Sequence, residues 1–169
     1  RDGDGNLMFV GNGASAAMAS HMALDFSKNG KVPALAFNDA VALTALSNDE
    51  GYDQVFSKQI EYFATKGDLL IAISSSGNSD NIINAVQAAR AKGCDVLTLS
   101  GIGPDNKLRK LGDYNLYVPS REYGFVEVVH GGLIHALLDI FMGWSARTGL
   151  WSRPVAQPAI ELLEKRGAA

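Results

Sequence analysis

One cysteine among 169 residues, Cys94, excludes an intrachain disulfide. Set before Asp95-Val96-Leu97, it reads as a buried, inert thiol. Charge of one sign is lacking too. Fifteen Lys and Arg against 18 Asp and Glu leave a net charge of −3, with no general pull toward nucleic acid or an anionic membrane. The one small basic cluster, Lys107, Arg109 and Lys110, reads as a solvated helix face. No apolar run reads as long enough to span a membrane, and there is no signal-peptide pattern, so the expectation is a cytoplasmic protein without nucleic-acid or membrane partners. Proline is scarce, and Pro154 and Pro158 mark a break before a short amphipathic tail helix over about 155–166, clearest at 159–166. Repeats and low-complexity segments are absent. The first residue is Arg rather than Met, which is what a chain lacking a native N-terminal segment would show.

What is present is alternation. Short apolar runs at 7–10, 34–37, 69–73, 95–99 and 114–118 read as strands. Helical patterns separate them at 14–28, 52–65 and 80–92, with Asn38-Asp39 placed to cap a further helix. A long apolar pattern at 126–144 reads as a buried helix, and Glu122-Tyr123-Gly124-Phe125 before it as an irregular loop. Parallel strands need helical crossovers, so the expectation is an α/β fold, one domain with an open, doubly wound parallel sheet of five strands. Ligands of such sheets sit beyond the C-terminal strand ends, near a switch in strand order.

Leu69-Leu70-Ile71-Ala72-Ile73 has no polar alternation, as expected of a strand buried on both faces, and runs into Ser74-Ser75-Ser76-Gly77-Asn78-Ser79. A strand–turn–helix unit of this kind aims free backbone N–H groups and hydroxyls at one spot, which suits a phosphate. Ser79 could also cap the helix, but a cap needs only one such residue; four serines favour an anion site. Gly11-Asn12-Gly13-Ala14-Ser15 falls at the same sheet edge. It lacks the third glycine of a dinucleotide fingerprint and could add Ser15 and backbone donors to the same ligand.

His21 and Asp25 are four apart on the first helix and share a face. Glu127 and His135 are eight apart on the last apolar helix, about 80° around its axis. Imidazoles and carboxylates are the donors a zinc-like ion takes. Each residue also has an ordinary role open to it: His21 exposed, Asp25 paired with Lys28, His135 in the core. Spacing does not choose between His130 and His135 as the ligand.

Taken in order, Gly11-Asn12-Gly13-Ala14-Ser15, Asn48-Asp49-Glu50-Gly51-Tyr52 and Ser74-Ser75-Ser76-Gly77-Asn78-Ser79 resemble the motifs of a sugar isomerase (SIS) domain. Within that class the chain resembles the sedoheptulose-7-phosphate isomerases, also called phosphoheptose isomerases. The similarity spans about 7–144 of a single domain taken as 1–169; the family's N-terminal helix and the tail from Trp151 have no match. The resemblance implies a homotetramer with active sites at subunit interfaces. It implies a ketose–aldose interconversion of a sugar phosphate, sedoheptulose 7-phosphate to a heptose 7-phosphate, through a metal-stabilised cis-enediolate. The family's phosphate cradle matches Ser15, Ser74, Ser75, Ser76 and Ser79, with Asn12, Gly13 and Glu127 also on the substrate side.

The family's zinc (or other divalent cation) is held by two histidines, a glutamate and a glutamine. His21 and His135 match the histidines; Asp25 stands at the glutamate and Glu127 at the glutamine. Asp25 as base and His135 as acid would then be catalytic. Asp25 is one methylene short, which sets a base back by about 1.5 Å, a step that can cost about 10²-fold. Glu127 adds a negative charge that binds a cation more tightly and weakens its Lewis acidity. Gly124 stands where the family has an aspartate near the sugar. These departures point to an altered sugar or a specialised paralogue. The competing expectation is a non-catalytic SIS module that binds a phosphosugar or a protein partner in a regulatory role; such a module has no need of His21, Asp25, Glu127 and His135 together.

Overall fold

Along the chain, β1 (Leu7–Gly11), α1 (Ala14–Lys28), β2 (Ala34–Ala36), α2 (Ala40–Asp49), α3 (Val55–Phe63), β3 (Leu69–Ser74), α4 (Asp80–Ala91), β4 (Asp95–Ser100), β5 (Tyr114–Tyr117) and α5 (Tyr123–Met142) alternate as the apolar periodicity requires. Short 3₁₀ turns occupy Tyr52–Gln54 and Leu108–Lys110, and β6 (Trp144–Ser145) pairs antiparallel with β7 (Leu150–Trp151). This computed structural model describes residues 5–145 and 150–151; the tail helix expected over 155–166 lies outside them.

Strands β1 to β5 form one parallel sheet in the order β2-β1-β3-β4-β5. The chain leaves β1 to one side for β2 and returns to the other for β3. The switch in order therefore falls between β1 and β3, where Gly11 lies in register with Ile73. A crevice at that point, beyond the C-terminal strand ends, is the standard ligand position of such sheets.

Both faces of the central strands β1 and β3 are covered, which is why those two are apolar up to their C-terminal ends. Met8, Val10, Leu70 and Ala72 pack under α3 and α4 with Phe56, Ile60, Ile82 and Val86. Phe9, Ile71, Ile73 and Leu99 face the opposite way, against Met22 and Phe26 of α1 and Ile134 and Leu138 of α5. Each of these side chains except that of Ala72 contributes about 1.5–3 kcal/mol when removed from water. Cys94 sits at the edge of the first layer with its Sγ 3.4 Å from the Thr65 carbonyl oxygen, and burial pushes its thiol upward.

Several expectations change. The segment read as one helix over 52–65 divides into a 3₁₀ turn and α3. The expected loop at 122–125 is the start of α5, which begins at Tyr123. Nor is α5 buried all round: only Val126, His130, Ile134 and Leu138, one stripe at four-residue spacing, are buried. Phe125, Val128 and Ile140 remain exposed, Val128 at 75%. Twenty residues long, with a mean hydropathy of 1.6 over its most apolar 18 residues, α5 is apolar enough to cross a membrane by length and composition, contrary to the expectation that no apolar run is long enough. Its buried stripe is spent on the sheet, and Glu127, His130, His135 and Asp139 interrupt its apolar character.

Candidate active site

The β3–α4 turn builds a polar pocket of about 190 Å³ at the switch point, lined by Ser74, Ser75, Ser76 and Ser79. From the β1–α1 turn come Asn12 and Ser15, and from the first turns of α5 Tyr123 and Glu127, four apart on one face. The hydroxyls are gathered: Ser74 Oγ lies 3.4 Å from both Ser76 Oγ and Ser79 Oγ. Ser75 Oγ is buried and has no hydrogen-bond partner. A buried hydroxyl without a partner costs stability, so a ligand that accepts from it is favoured.

Three helices, α1, α4 and α5, begin at this pocket without a side-chain cap; at α5 the N-cap is Glu122. At α1 the N-cap is Gly13, which has no side chain to offer; at α4 it is Ser79, whose hydroxyl lies near Ser74 instead of closing on the helix amides. Ser79 thus occupies the cap position without capping. By contrast Asp39, at the start of α2 and away from the pocket, accepts from the Val41 and Ala42 amides as expected. Open helix N-termini carry partial positive charge and suit an anion.

The serine turn is held from behind. Gly77 has φ +65°, and a Cβ there would meet Asn106 Oδ1 at 2.1 Å. Asn106 in turn donates to the carbonyls of Gly101 and Gly103 and accepts from the Arg109 amide, while Asn78 Oδ1 accepts from the Lys107 amide. Of the basic cluster, Arg109 stacks over the Tyr117 ring at 4.1 Å and Lys107 lies 3.9 Å from Asp80. These are local surface roles.

Beyond the pocket α1 and α5 bring His21, Asp25 and His135 together. One donor atom from each lies within 4.8 Å of the others. His21 Nε2 is 3.3 Å from Asp25 Oδ2, and the two imidazoles are 5.3 Å apart between centroids. His21 and His135 are exposed and Asp25 is half-buried. Two imidazoles and a carboxylate fit zinc, and three protein donors is the number used by open, catalytic zinc sites. Asp25 is not paired with Lys28; its other contact is a long one, 3.5 Å from Asn29 Nδ2.

Glu127, expected as a fourth donor, is not part of that cluster and lines the serine pocket. The reason is helix geometry: eight residues raise His135 about 12 Å along the axis from Glu127. His130 also stands apart. It is fully buried, Nε2 lies 3.1 Å from the Ser100 carbonyl oxygen, and Nδ1 has no partner. Burial lowers its pKa, against smaller opposing effects of that carbonyl and of Glu127. Gly13 is exposed at the mouth of the α1 turn with φ +55°. Tyr123, read as loop from the sequence, is a pocket residue; its four-residue spacing from Glu127 was the available signal. A larger apolar cavity of about 370 Å³ opens against Leu7, Phe26, Leu69 and Phe141, with no titratable side chain among the described residues of its lining.

A five-stranded parallel sheet with a hydroxyl pocket at its switch point is the arrangement of a SIS domain, and the SIS domain family matches residues 2–101. Among relatives, the phosphoheptose isomerase of Aliarcobacter butzleri is 43% identical over 140 residues, covering 79% of this chain and 74% of the relative. That of Helicobacter pylori (strain HPAG1) is 38% identical over 144 residues, covering 82% and 74%. The solved phosphoheptose isomerase GmhA from Neisseria gonorrhoeae superposes with a TM-score of 0.77 at 40% identity, covering 82% of this chain and 76% of that one. The chain belongs to the phosphoheptose isomerases, an isomerase family.

Proposed function

We propose that this protein interconverts sedoheptulose 7-phosphate and a heptose 7-phosphate by moving a proton between C1 and C2. The observation that carries the reading is that the same two helices serve both the serine pocket and the three-donor cluster. α1 presents Ser15 to the pocket and His21 and Asp25 to the cluster; α5 presents Glu127 and His135 in the same order. Six residues of helix separate Ser15 from His21, a rise of about 9 Å. An extended seven-carbon chain with a terminal phosphate measures about 10 Å from phosphorus to C1, given bonds of about 1.5 Å. A sugar of that length reaches from one to the other.

In this mechanism Ser74, Ser76 and Ser79 hold the phosphoryl oxygens, with Ser15 and Ser75 assisting and the open ends of α1 and α4 balancing the charge. Tyr123 and Glu127 face the sugar. Asp25 acts as the base at the C1/C2 carbons and a ring nitrogen of His135 as the acid at the oxygen. Asp25 Oδ2 lies toward His21, and Oδ1, whose contact with Asn29 Nδ2 is a long 3.5 Å, takes the proton. His21, Asp25 and His135 would hold zinc or another divalent cation, which supplies stabilisation for the negative charge of the cis-enediolate.

The cluster opens to solvent in the single chain, and the apolar side chains Phe125, Val128 and Ile140 of α5 are exposed as well. A homotetramer with shared sites would cover both. The same reading takes the protein to be cytoplasmic, with a small phosphosugar and its own copies as partners. A regulatory module that only binds phosphosugars has no use for the cluster. The test is a panel of ketose and aldose phosphates followed by proton exchange at C1 and C2 in deuterated water. Exchange confined to seven-carbon phosphates supports the proposal; binding without exchange at either carbon defeats it.

A further inference from the structure

Asn12 and Asn81 exchange a reciprocal pair of amide hydrogen bonds: Asn12 Nδ2 donates to Asn81 Oδ1 at 2.9 Å, and Asn81 Nδ2 donates to Asn12 Oδ1 at 2.9 Å. The Tyr52 hydroxyl donates to the same Asn12 Oδ1 at 3.0 Å. A carboxamide oxygen has two lone pairs, so this one is filled, and Asn12 keeps a single N–H to offer a ligand. Asn81 is 3% exposed and lies one residue inside α4. Its amide side chain serves Asn12 alone among the described residues.

The three residues stand at the joints of the pocket. The Asn12 carbonyl accepts from the Ser15 and Ala16 amides and so starts α1. Asn81 belongs to the first turn of α4, directly after the serine turn. Tyr52 opens the 3₁₀ turn whose Asp53 carbonyl accepts from Asn84, one turn further along α4. The pair therefore ties the uncapped N-termini of α1 and α4 to each other across the β1/β3 switch, and Tyr52 braces it from outside.

We propose that Asn81 is a positioning residue for phosphoryl binding. Through Asn12, with Tyr52 as the brace, it sets the spacing between the α1 and α4 N-termini so that one phosphoryl group meets both sets of amides and the serine hydroxyls at once. The inference rests on the serine pocket being the phosphoryl site and adds what holds that pocket to size. Loss of the tie lets the halves part, and misplacement on the scale of 1 Å is enough to weaken a multipoint grip.

The test is calorimetric titration of the full chain with inorganic phosphate, together with KM and kcat for the sugar phosphate. Asn81→Ala should raise both the phosphate Kd and KM by about ten- to a hundredfold, with kcat moving far less. Tyr52→Phe should shift both the same way by about threefold. The Asn12→Ala/Asn81→Ala double variant should be no weaker than the poorer single one, because the two side chains act as a unit. Phosphate affinity retained in Asn81→Ala, or a double variant showing the product of two independent losses, overturns the proposal. Should Asn81→Ala fail to fold, Tyr52→Phe decides: Tyr52 is 58% exposed, and an unchanged phosphate Kd refutes the brace and the tie behind it. Wild-type protein whose phosphate binding is absent, or is indifferent to Ser76→Ala, instead removes the phosphoryl reading of the pocket, and this inference falls with it.

Discussion

The His21 and His135 rings face each other at 5.3 Å, tilted by 58°, one from the first helix and one from the last of the described residues. Nothing apolar explains that approach, since both side chains are exposed. With Asp25 beside them they are placed as donors. Protein stripped of metal should therefore take up zinc, and His135→Ala or His21→Ala should weaken uptake at least about a hundredfold, since even loss of a supporting partner costs up to that. His130→Gln, a change in the core, should leave zinc affinity as it is. Calorimetric titration with zinc reads all three.

Asp25 carries the second prediction. Asp25→Asn should lower kcat by at least about a hundredfold while calorimetry still detects the sugar phosphate. Asp25→Glu restores the missing methylene and should raise kcat, by up to about 10²-fold if reach limits the rate. Full turnover in the Asn variant would show that the base lies elsewhere.

Gly77 is held at φ +65° against Asn106, so Gly77→Ala meets both a disfavoured backbone region and a side chain with nowhere to go. A loss of about 1–3 kcal/mol is expected from the backbone alone, read as a lower denaturant midpoint. Phosphate affinity should fall with it, because Asn106 braces the turn.

His130 sets a pH dependence. Burial depresses its folded pKa below the ordinary 6.5. Above that value both folded and unfolded forms are neutral and the full stability is present. As pH falls through about 6.5 the unfolded chain takes up a proton that the fold refuses, so stability declines until the folded pKa is reached. Denaturation midpoints should drop between pH 7.5 and pH 5, and His130→Gln should flatten that drop. Asp68 acts lower down. Burial alone would raise its carboxyl, but hydrogen bonds from Asn6 and Thr65 together hold it below 3.8, so its contribution is present above that value and lost in stronger acid.

The exposed side of α5 makes the last prediction. Val128 is 75% exposed on a helix whose buried stripe lies on the other side. If the proposed homotetramer buries this face, the wild-type mass by light scattering is that of four chains and Val128→Glu should lower it, with the chain still folded by circular dichroism. A wild-type mass of one chain, or a mass unchanged in Val128→Glu, would count against a subunit contact on this face.

The serine turn was legible because its signal is local. A fully apolar strand followed at once by hydroxyls and glycine leaves few alternatives for residues 69–79, and the strand–helix alternation dictates a parallel sheet. The extents of α5 and of the 52–65 segment were less legible, since apolar composition continues through positions that turn out exposed. Glu127 shows the limit of spacing: sharing a helix with His135 did not bring it to the His21, Asp25 and His135 cluster of the same chain.

Local pattern and covalent order were thus enough to determine the layer architecture, the anion-binding turn and the candidate donors. Which histidine served the cluster was left to packing. His130 and His135 sit on one helix about 140° apart, and only the docking of α5 on the sheet turned the first into the core beneath Ser100 and the second toward His21. The same holds for Asn12 and Asn81, which meet only because β1 and β3 are neighbours. Pairings between distant segments depend on how helices and strands are laid together, and no short-range periodicity encodes that.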